Sequence, residues 1–413
     1  MRIGINGLFW PQEFTGSGQY TRHLWQALHQ IDEGEDTPEY YLLGSGQPFA
    51  GLSKEQQMHL SPPVLVQQRG EKLQKLWWEQ MGVTQLANQR NQRLRPFDLV
   101  HYPYFAAPLR LPQKPTAVVV TIHDLIPLVL PEYAAGRAAK AYFRLVSTAA
   151  RRADLILADS EYSKRDILRL LKISPSKVAV VYLGVDERYR AGELPADQQA
   201  ALFQKYGLQP TDRLIFYLGG YDLRKNVPSL IKAFGLALPK LKELEAQDGG
   251  GRWVLAMAGK THSNNPVIYP DVNEPMRQAV GIGEDADRVR FIGLVDEADK
   301  PLLYRAASFY VFPSRYEGFG LDPLEAIASG APTICSNASS LPEVVGEAAL
   351  LVEPDDLAGW KNAIENLAAR PQLRRELAMA GPLQAQKFSW DKTARRTLEL
   401  YRMLECIETR GRK

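Results

Sequence analysis

The feature that most constrains the fold is a grammar of short apolar runs and helical stretches, written twice along the chain. In the first half "RIGING", "EYYLLG", "FDLVHY", "AVVVTI", "DLILAD" and "KVAVVYLG" read as mostly buried strands, several with helical patterns between them. In "QYTRHLWQALHQI", Tyr20, Leu24, Ala27, Leu28 and Ile31 recur at helical spacing. A turn-rich stretch, "GVDERYRAGELPADQQ", interrupts the pattern. Then "RLIFYLGG", "WVLAMAG", "RVRFIGL", "SFYVFP", "APTICSN" and "AALLVEP" restart it, around helices such as "VPSLIKAFGLALPKL". Apolar strands alternating with helices imply parallel sheets covered on both faces. The expected class is α/β: one doubly wound domain over residues 1–190 and another over 205–387, facing across a cleft. In such sheets ligands sit outside the carboxyl ends of the strands, so the loops after strands are where chemistry is sought.

Length and composition agree with this division. A chain of 413 residues exceeds one ordinary core, and 45% hydrophobic with 23% charged residues is ordinary for a globular protein. A formal net charge of +3 makes no general case for nucleic acid or membrane. Only Cys335 and Cys406 occur, which suggests a reducing compartment without a disulfide framework. "MRIGINGLFW" begins as a strand, unlike a charged leader, and "AVVVTIHDLIPLVLP" is broken by His123, Asp124 and Pro127 before it reaches the roughly 20 residues that span a bilayer. The expected setting is cytoplasmic.

Four post-strand stretches carry candidate chemistry. "SRYEGFGLDPLEAIASGAP" follows the strand "SFYVFP" and enters a helix, so it joins free backbone N–H groups to a partial positive charge suited to phosphate. It holds Glu317 and Glu325, and Gly318 and Gly320 would let a ligand approach the backbone. Asp322, Pro323 and Glu325 also fit a capping box, which would make Glu325 a helix cap. "YLGGYDLRKNVPSLIKAF" places Gly219 and Gly220 at a strand end and Arg224 and Lys225 before a helix; the bland alternative is a solvated basic turn. In "TIHDLIPL", His123 and Asp124 stand just past a buried strand, where a lone histidine is more often structural. "TGSGQY" contributes Gly16 and Gly18, but Thr21 replaces the last glycine of the dinucleotide fingerprint.

Glu317, seven intervening residues and Glu325, within "EGFGLDPLEAIASG", resemble the E-x7-E signature of the retaining glycosyltransferases of family 4. Asp322 stands where that family favours proline. The resemblance spans nearly the whole chain, is strongest over residues 214–353, and leans toward mannosyltransferase-like members through "LRKN" and "EGFGL". It implies the GT-B fold of two facing Rossmann-like domains, with a final helix, 388–413, crossing back to the first. It implies a sugar-nucleotide donor, with GDP-mannose the first expectation, and a glycan or lipid-linked glycan acceptor. Glu317 would lie beside the donor sugar, Glu325 on the ribose hydroxyls, Lys225 and Arg224 on the leaving diphosphate, and His123 against the sugar, with Asp124 orienting acceptor or imidazole. Gly16, Gly18, Gly219, Gly220, Lys260 of "AGK", Val295 of "FIGLV", Gly318, Phe319, Gly320 and Leu321 would line the donor, and "SNASSLPEV" is a further family echo. Retention of configuration follows from the same likeness, by same-face attack in which the departing phosphate helps deprotonate the acceptor.

No cofactor or metal is expected. The D-x-D string, Asp285 to Asp287, precedes a strand instead of following one and reads as a turn, and no His/Cys cluster has metal-ligand spacing. The cation role then falls to Lys225, Arg224 and a helix N-terminus. On the acceptor side, Arg137, Lys140, Arg144 and Arg151 fall on one strip of a helix. That strip is either a solvated face or a peripheral contact with anionic lipid on the inner side of a membrane. Trp77 and Trp78 are core or an acceptor platform. The alternatives in other classes are a sugar-nucleotide epimerase, a phosphorylase, or a non-catalytic nucleotide-sugar or glycan-binding module.

Overall fold

The computed structural model describes residues 1–12, 15–88, 95–113, 116–134, 136–260, 265–281 and 285–410, with side chains to 405. The side chain of Cys406 and the end of the expected helix, 411–413, lie outside them. The chain divides into two compact units, Met1–Gly184 with Trp390–Lys413, and Val185–Ser389.

The first unit carries β1 (Arg2–Asn6), β2 (Glu39–Ser45), β3 (Gln57–Leu60), β4 (Leu99–Tyr102), β5 (Ala117–Ile122), β6 (Leu155–Ala158) and β7 (Val178–Val180). Among the described residues they form one parallel sheet in the order β3-β2-β1-β4-β5-β6-β7. The central strands β4, β5 and β6 are buried at every residue, which is why they read as unbroken apolar runs. Strand β3, "QMHL", has no signal in the sequence: it is a half-buried edge strand with no apolar run, and pairing with Leu42–Ser45 makes it a strand.

Two helices pack against this sheet at β4 and β5, where Tyr20 meets Thr121 and Tyr401 meets His101. Thr15 caps the helix Gly16–His29 by accepting the Gly18 N–H at 3.1 Å, and Tyr20, Leu24, Ala27 and Leu28 form its buried face. The C-terminal helix Trp390–Arg410 packs on it, with Trp390 stacked on His23 at 4.8 Å. The Tyr401 hydroxyl bonds the buried His101 inside β4 at 2.7 Å.

The second unit repeats the plan with β8 (Arg213–Leu218), β9 (Trp253–Ala258), β10 (Val289–Gly293), β11 (Phe309–Phe312), β12 (Thr333–Ser336) and β13 (Ala349–Val352). Its parallel order is β10-β9-β8-β11-β12-β13. Both sheets follow the doubly wound Rossmann-like order, in which direction reverses beside the first strand of each unit. The switch points lie between β1 and β4 and between β8 and β11. Part of the stretch read as a turn-rich break is a helix, Ala196–Lys205, which belongs to the second unit.

Candidate active site

The sheet order decides which loops meet. Because β8 pairs with β11, with Ile215 beside Phe309, the segments leaving their carboxyl ends run side by side. The Arg315 N–H donates to the Arg224 carbonyl at 2.7 Å, stitching the two loops. Asn226 then takes a left-handed φ of 55°, turning the chain into the helix Val227–Asp248.

This places an ion cluster at the switch point. Lys225 is only 6% exposed, so it is not a solvated turn residue. Its Nζ lies 2.9 Å from Glu317 Oε1 and 3.3 Å from Asp322 Oδ2, and 4.5 Å from the Phe312 ring centre. Arg224 Nη1 reaches Glu317 Oε1 at 2.5 Å and its Nε reaches Asp222 at 3.2 Å. The Ser314 hydroxyl donates to Glu317 at 2.7 Å. Burial opposes ionisation of Glu317, yet Arg224 and Lys225 outweigh it and hold the carboxyl at about 2. Two cations therefore face three carboxylates, Asp222, Glu317 and Asp322.

Serines brace the same loop. The Glu317 N–H donates to Ser339 Oγ at 2.8 Å, while the Ser340 hydroxyl, 3.0 Å from the Glu317 carbonyl, donates to the nearer carbonyl of Phe319 at 2.6 Å. "SNASSLPEV" thus works here as a scaffold for the double-glutamate turn. The Phe319 ring is buried against Phe388, 5.7 Å away, so its side chain belongs to the core. Gly320, with φ 114°, precedes the helix Leu321–Ala328 in a conformation that favours glycine.

The capping-box reading of Glu325 is overturned. The residue before the helix is Gly320, not Asp322, and no side chain caps it. Asp322 sits inside the first turn and reaches Lys225 instead. Glu325 is pushed up to about 8 by burial and by the Asp322 carboxylate, against the pull of Lys300, the Tyr189 hydroxyl and Arg188. That value lies above the ordinary 4.5, so the carboxyl is neutral in both states at low pH and costs nothing there. Between 4.5 and about 8 the unfolded chain sheds the proton that the folded chain keeps, and stability falls as pH rises. Glu325→Gln is accordingly expected to match the native melting temperature at pH ~4 and exceed it by about 10 °C at pH ~9. A lower melting temperature at both pH values would mean that the glutamate stabilises the fold.

Gly219 and Gly220 follow β8, and the Tyr217 hydroxyl donates to the Gly220 carbonyl at 2.6 Å. Lys260 is exposed just past β9, and Val295 lies half-buried just past β10. Gly16 and Gly18 lie in the first turn of a helix, not in the loop that the sequence suggested.

In the first unit, His123 leaves β5 and stands beside Tyr20, ring centres 4.8 Å apart. Asp124 accepts the Ile126 N–H at 2.9 Å, opening a helical turn. The carboxylate that bonds the imidazole is Asp159, at 2.7 Å from Nδ1 and itself only 3% exposed. Nothing in the sequence marks it, because its strand "DLILAD" stands out by apolar content alone. The other ring nitrogen lies 3.1 Å from the Pro103 carbonyl. Both partners are acceptors, so only the imidazolium donates to both. Burial disfavours that charge, but Asp159 overcomes it and raises the His123 pKa.

Trp77 and Trp78 are buried, and the Trp78 indole N–H donates to Asn6 at 2.9 Å, so they are core residues. Asp285 and Asp287 pair with Lys242, Arg288, Arg252 and Arg290, as a charged turn does. Among the described residues no group of three or more His, Cys, Asp or Glu is placed to hold a metal ion, and no helix is long and apolar enough to cross a membrane.

Comparison with known proteins agrees with this layout. The family model described as Glycosyltransferase Family 4 matches residues 46–189, and that described as Glycosyl transferases group 1 matches residues 198–384. The O-antigen chain mannosyltransferase B of Escherichia coli is 32% identical over 321 residues, 77% of this chain and 79% of that protein. The serotype-specific mannosyltransferase WbdA of Escherichia coli is 31% identical over 69% of this chain, which spans only 33% of that longer protein. HepE of Anabaena, solved in complex with UDP-glucose, shares the fold at 17% identity with a TM-score of 0.68, covering 97% of this chain and 99% of that one. Fold and sequence together define a glycosyltransferase. The chain belongs to glycosyltransferase family 4, and its relatives include mannosyltransferases.

Proposed function

We propose that the protein transfers a mannosyl group from GDP-mannose to a glycan or lipid-linked glycan, with retention of configuration and without a metal. The observation that carries the reading is the cluster of buried Lys225 with Arg224 and Glu317 at the switch point between β8 and β11. Without donor the two cations are balanced by carboxylates. An arriving diphosphate competes for them, and Glu317, displaced from its cations, becomes an acceptor for sugar hydroxyls. As the bond to the anomeric carbon breaks, Lys225 and Arg224 take up the charge growing on the leaving phosphate. The leaving oxygen in turn receives the acceptor's proton. Glu325 serves the ribose hydroxyls, and Lys260, Val295 and the glycines at 16, 18, 219, 220, 318 and 320 line the donor.

The choice of mannose rests on the two named mannosyltransferase relatives. A thermal-shift screen of GDP-, UDP- and ADP-sugars tests it, with the largest stabilisation expected from GDP-mannose. A larger shift with a UDP-sugar would replace the donor. Turnover unchanged by a chelator is the expected result for the metal-free mechanism, and restoration of lost turnover by magnesium or manganese would reject it.

A further inference from the structure

The first unit holds a cavity of about 510 Å³ lined by none of the residues assigned above to the donor, but by three cations of the acceptor-side strip. It lies along the helix Arg137–Ala150. Leu128, Phe143 and Leu171 supply apolar walls, and Lys140, Arg144 and Arg151 line the same space. The Arg151 Nε donates to the Leu171 carbonyl at 2.7 Å, which fixes that guanidinium at the cavity. Among the described lining residues there is no carboxylate; Glu132, between the lining residues Pro131 and Ala134, does not line it.

Three like charges around one small space repel one another until an anion joins them, and apolar walls favour a ligand with a hydrocarbon part. Arginine is well suited to phosphate, because its planar fork donates two parallel hydrogen bonds. We propose that this cavity seats the phosphate headgroup and adjoining carbons of an anionic bilayer lipid, docking the first unit on a membrane surface. The idea extends the reading in which the acceptor is lipid-linked, and it narrows the cationic strip to a defined site. Arg137 is on the strip but does not line the cavity.

That difference supplies the test. Vesicles of phosphatidylcholine alone, and of phosphatidylcholine with phosphatidylglycerol, are sedimented with the full chain. Native protein is expected to partition onto the anionic vesicles only. Lys140→Gln and Arg144→Gln should each lower partitioning about fivefold, the effect of one cation near an anionic surface. Arg137→Gln removes a cation outside the cavity, whose attraction is screened by salt, and should change it by about twofold or less. Thr148→Trp places a large ring in the cavity at an exposed lining position without altering charge, and should lower partitioning as much as Arg144→Gln. Arg137→Gln as costly as Arg144→Gln, together with a harmless Thr148→Trp, would overturn the proposal in favour of diffuse attraction. Absence of native binding to anionic vesicles at low salt would overturn it outright. Donor-induced thermal shift, followed in every variant, reports on the second unit, so failure of lipid docking and failure of the donor reading give different results.

Discussion

Lys225→Ala is expected to lower kcat by about 10²–10³-fold while the protein remains folded. The ammonium is almost wholly removed from water and meets the carboxylates of Glu317 and Asp322 in the absence of donor. In the reaction it exchanges them for a leaving diphosphate, whose charge is greatest in the transition state. Arg224 stays 2.5 Å from Glu317 in the variant's starting geometry. That carboxylate keeps a cation, and the stability loss stays below the about 3–5 kcal/mol seen when a buried ion loses its partner. Turnover, nucleoside diphosphate affinity and melting temperature together check the claim. Native turnover would remove Lys225 from the leaving-group role, and a collapsed fold would assign it to structure alone.

Gly259→Ala is expected to destabilise the second unit by about 3 kcal/mol, a fall of about 10 °C in melting temperature. Gly259 has a φ of 146°, and an added Cβ would come within 1.9 Å of the Gly219 carbonyl oxygen. Neither backbone yields easily: Gly219 N–H donates to Ala258 at 3.1 Å, and Gly259 N–H donates to Gly293 at 2.8 Å. The strain reaches the loop that leads to Lys225, so donor affinity should fall as well. Gly16→Ala, at a position with nothing within 4 Å, is the matched control and should leave the melting temperature unchanged. Equal melting of the Gly259 variant and the native protein would show that the strand ends part without cost.

Much of the fold was legible in the sequence because most strands are buried on both faces. Unbroken runs such as "AVVVTI" and "WVLAMA" fit covered strands by their shortness, their apolar content and the turn residues that bound them. Edge strand β3 was not legible, since Gln57 and His59 share it with Met58 and Leu60 and its identity comes from pairing with β2. The spacing of Glu317 and Glu325 marked the right loop, but spacing alone also allowed a capping box. Only the observed helix start at Leu321, with Gly320 before it, separates the two readings. Asp159 and Asp322 were out of reach for a different reason: their importance lies in contacts with His123 and Lys225, partners 36 and 97 residues away.

The sequence by itself determined the alternation of strand and helix, the two-unit plan that follows from it, and the residue types at the strand-end loops. These depend on local periodicity and burial, which each segment carries within itself. Tertiary structure decided which loops become neighbours, how deeply Lys225 is buried, and which carboxylate answers each cation. Those outcomes follow from the order of strands in a sheet and from the desolvation it imposes, so charges distant in sequence meet where water is largely excluded.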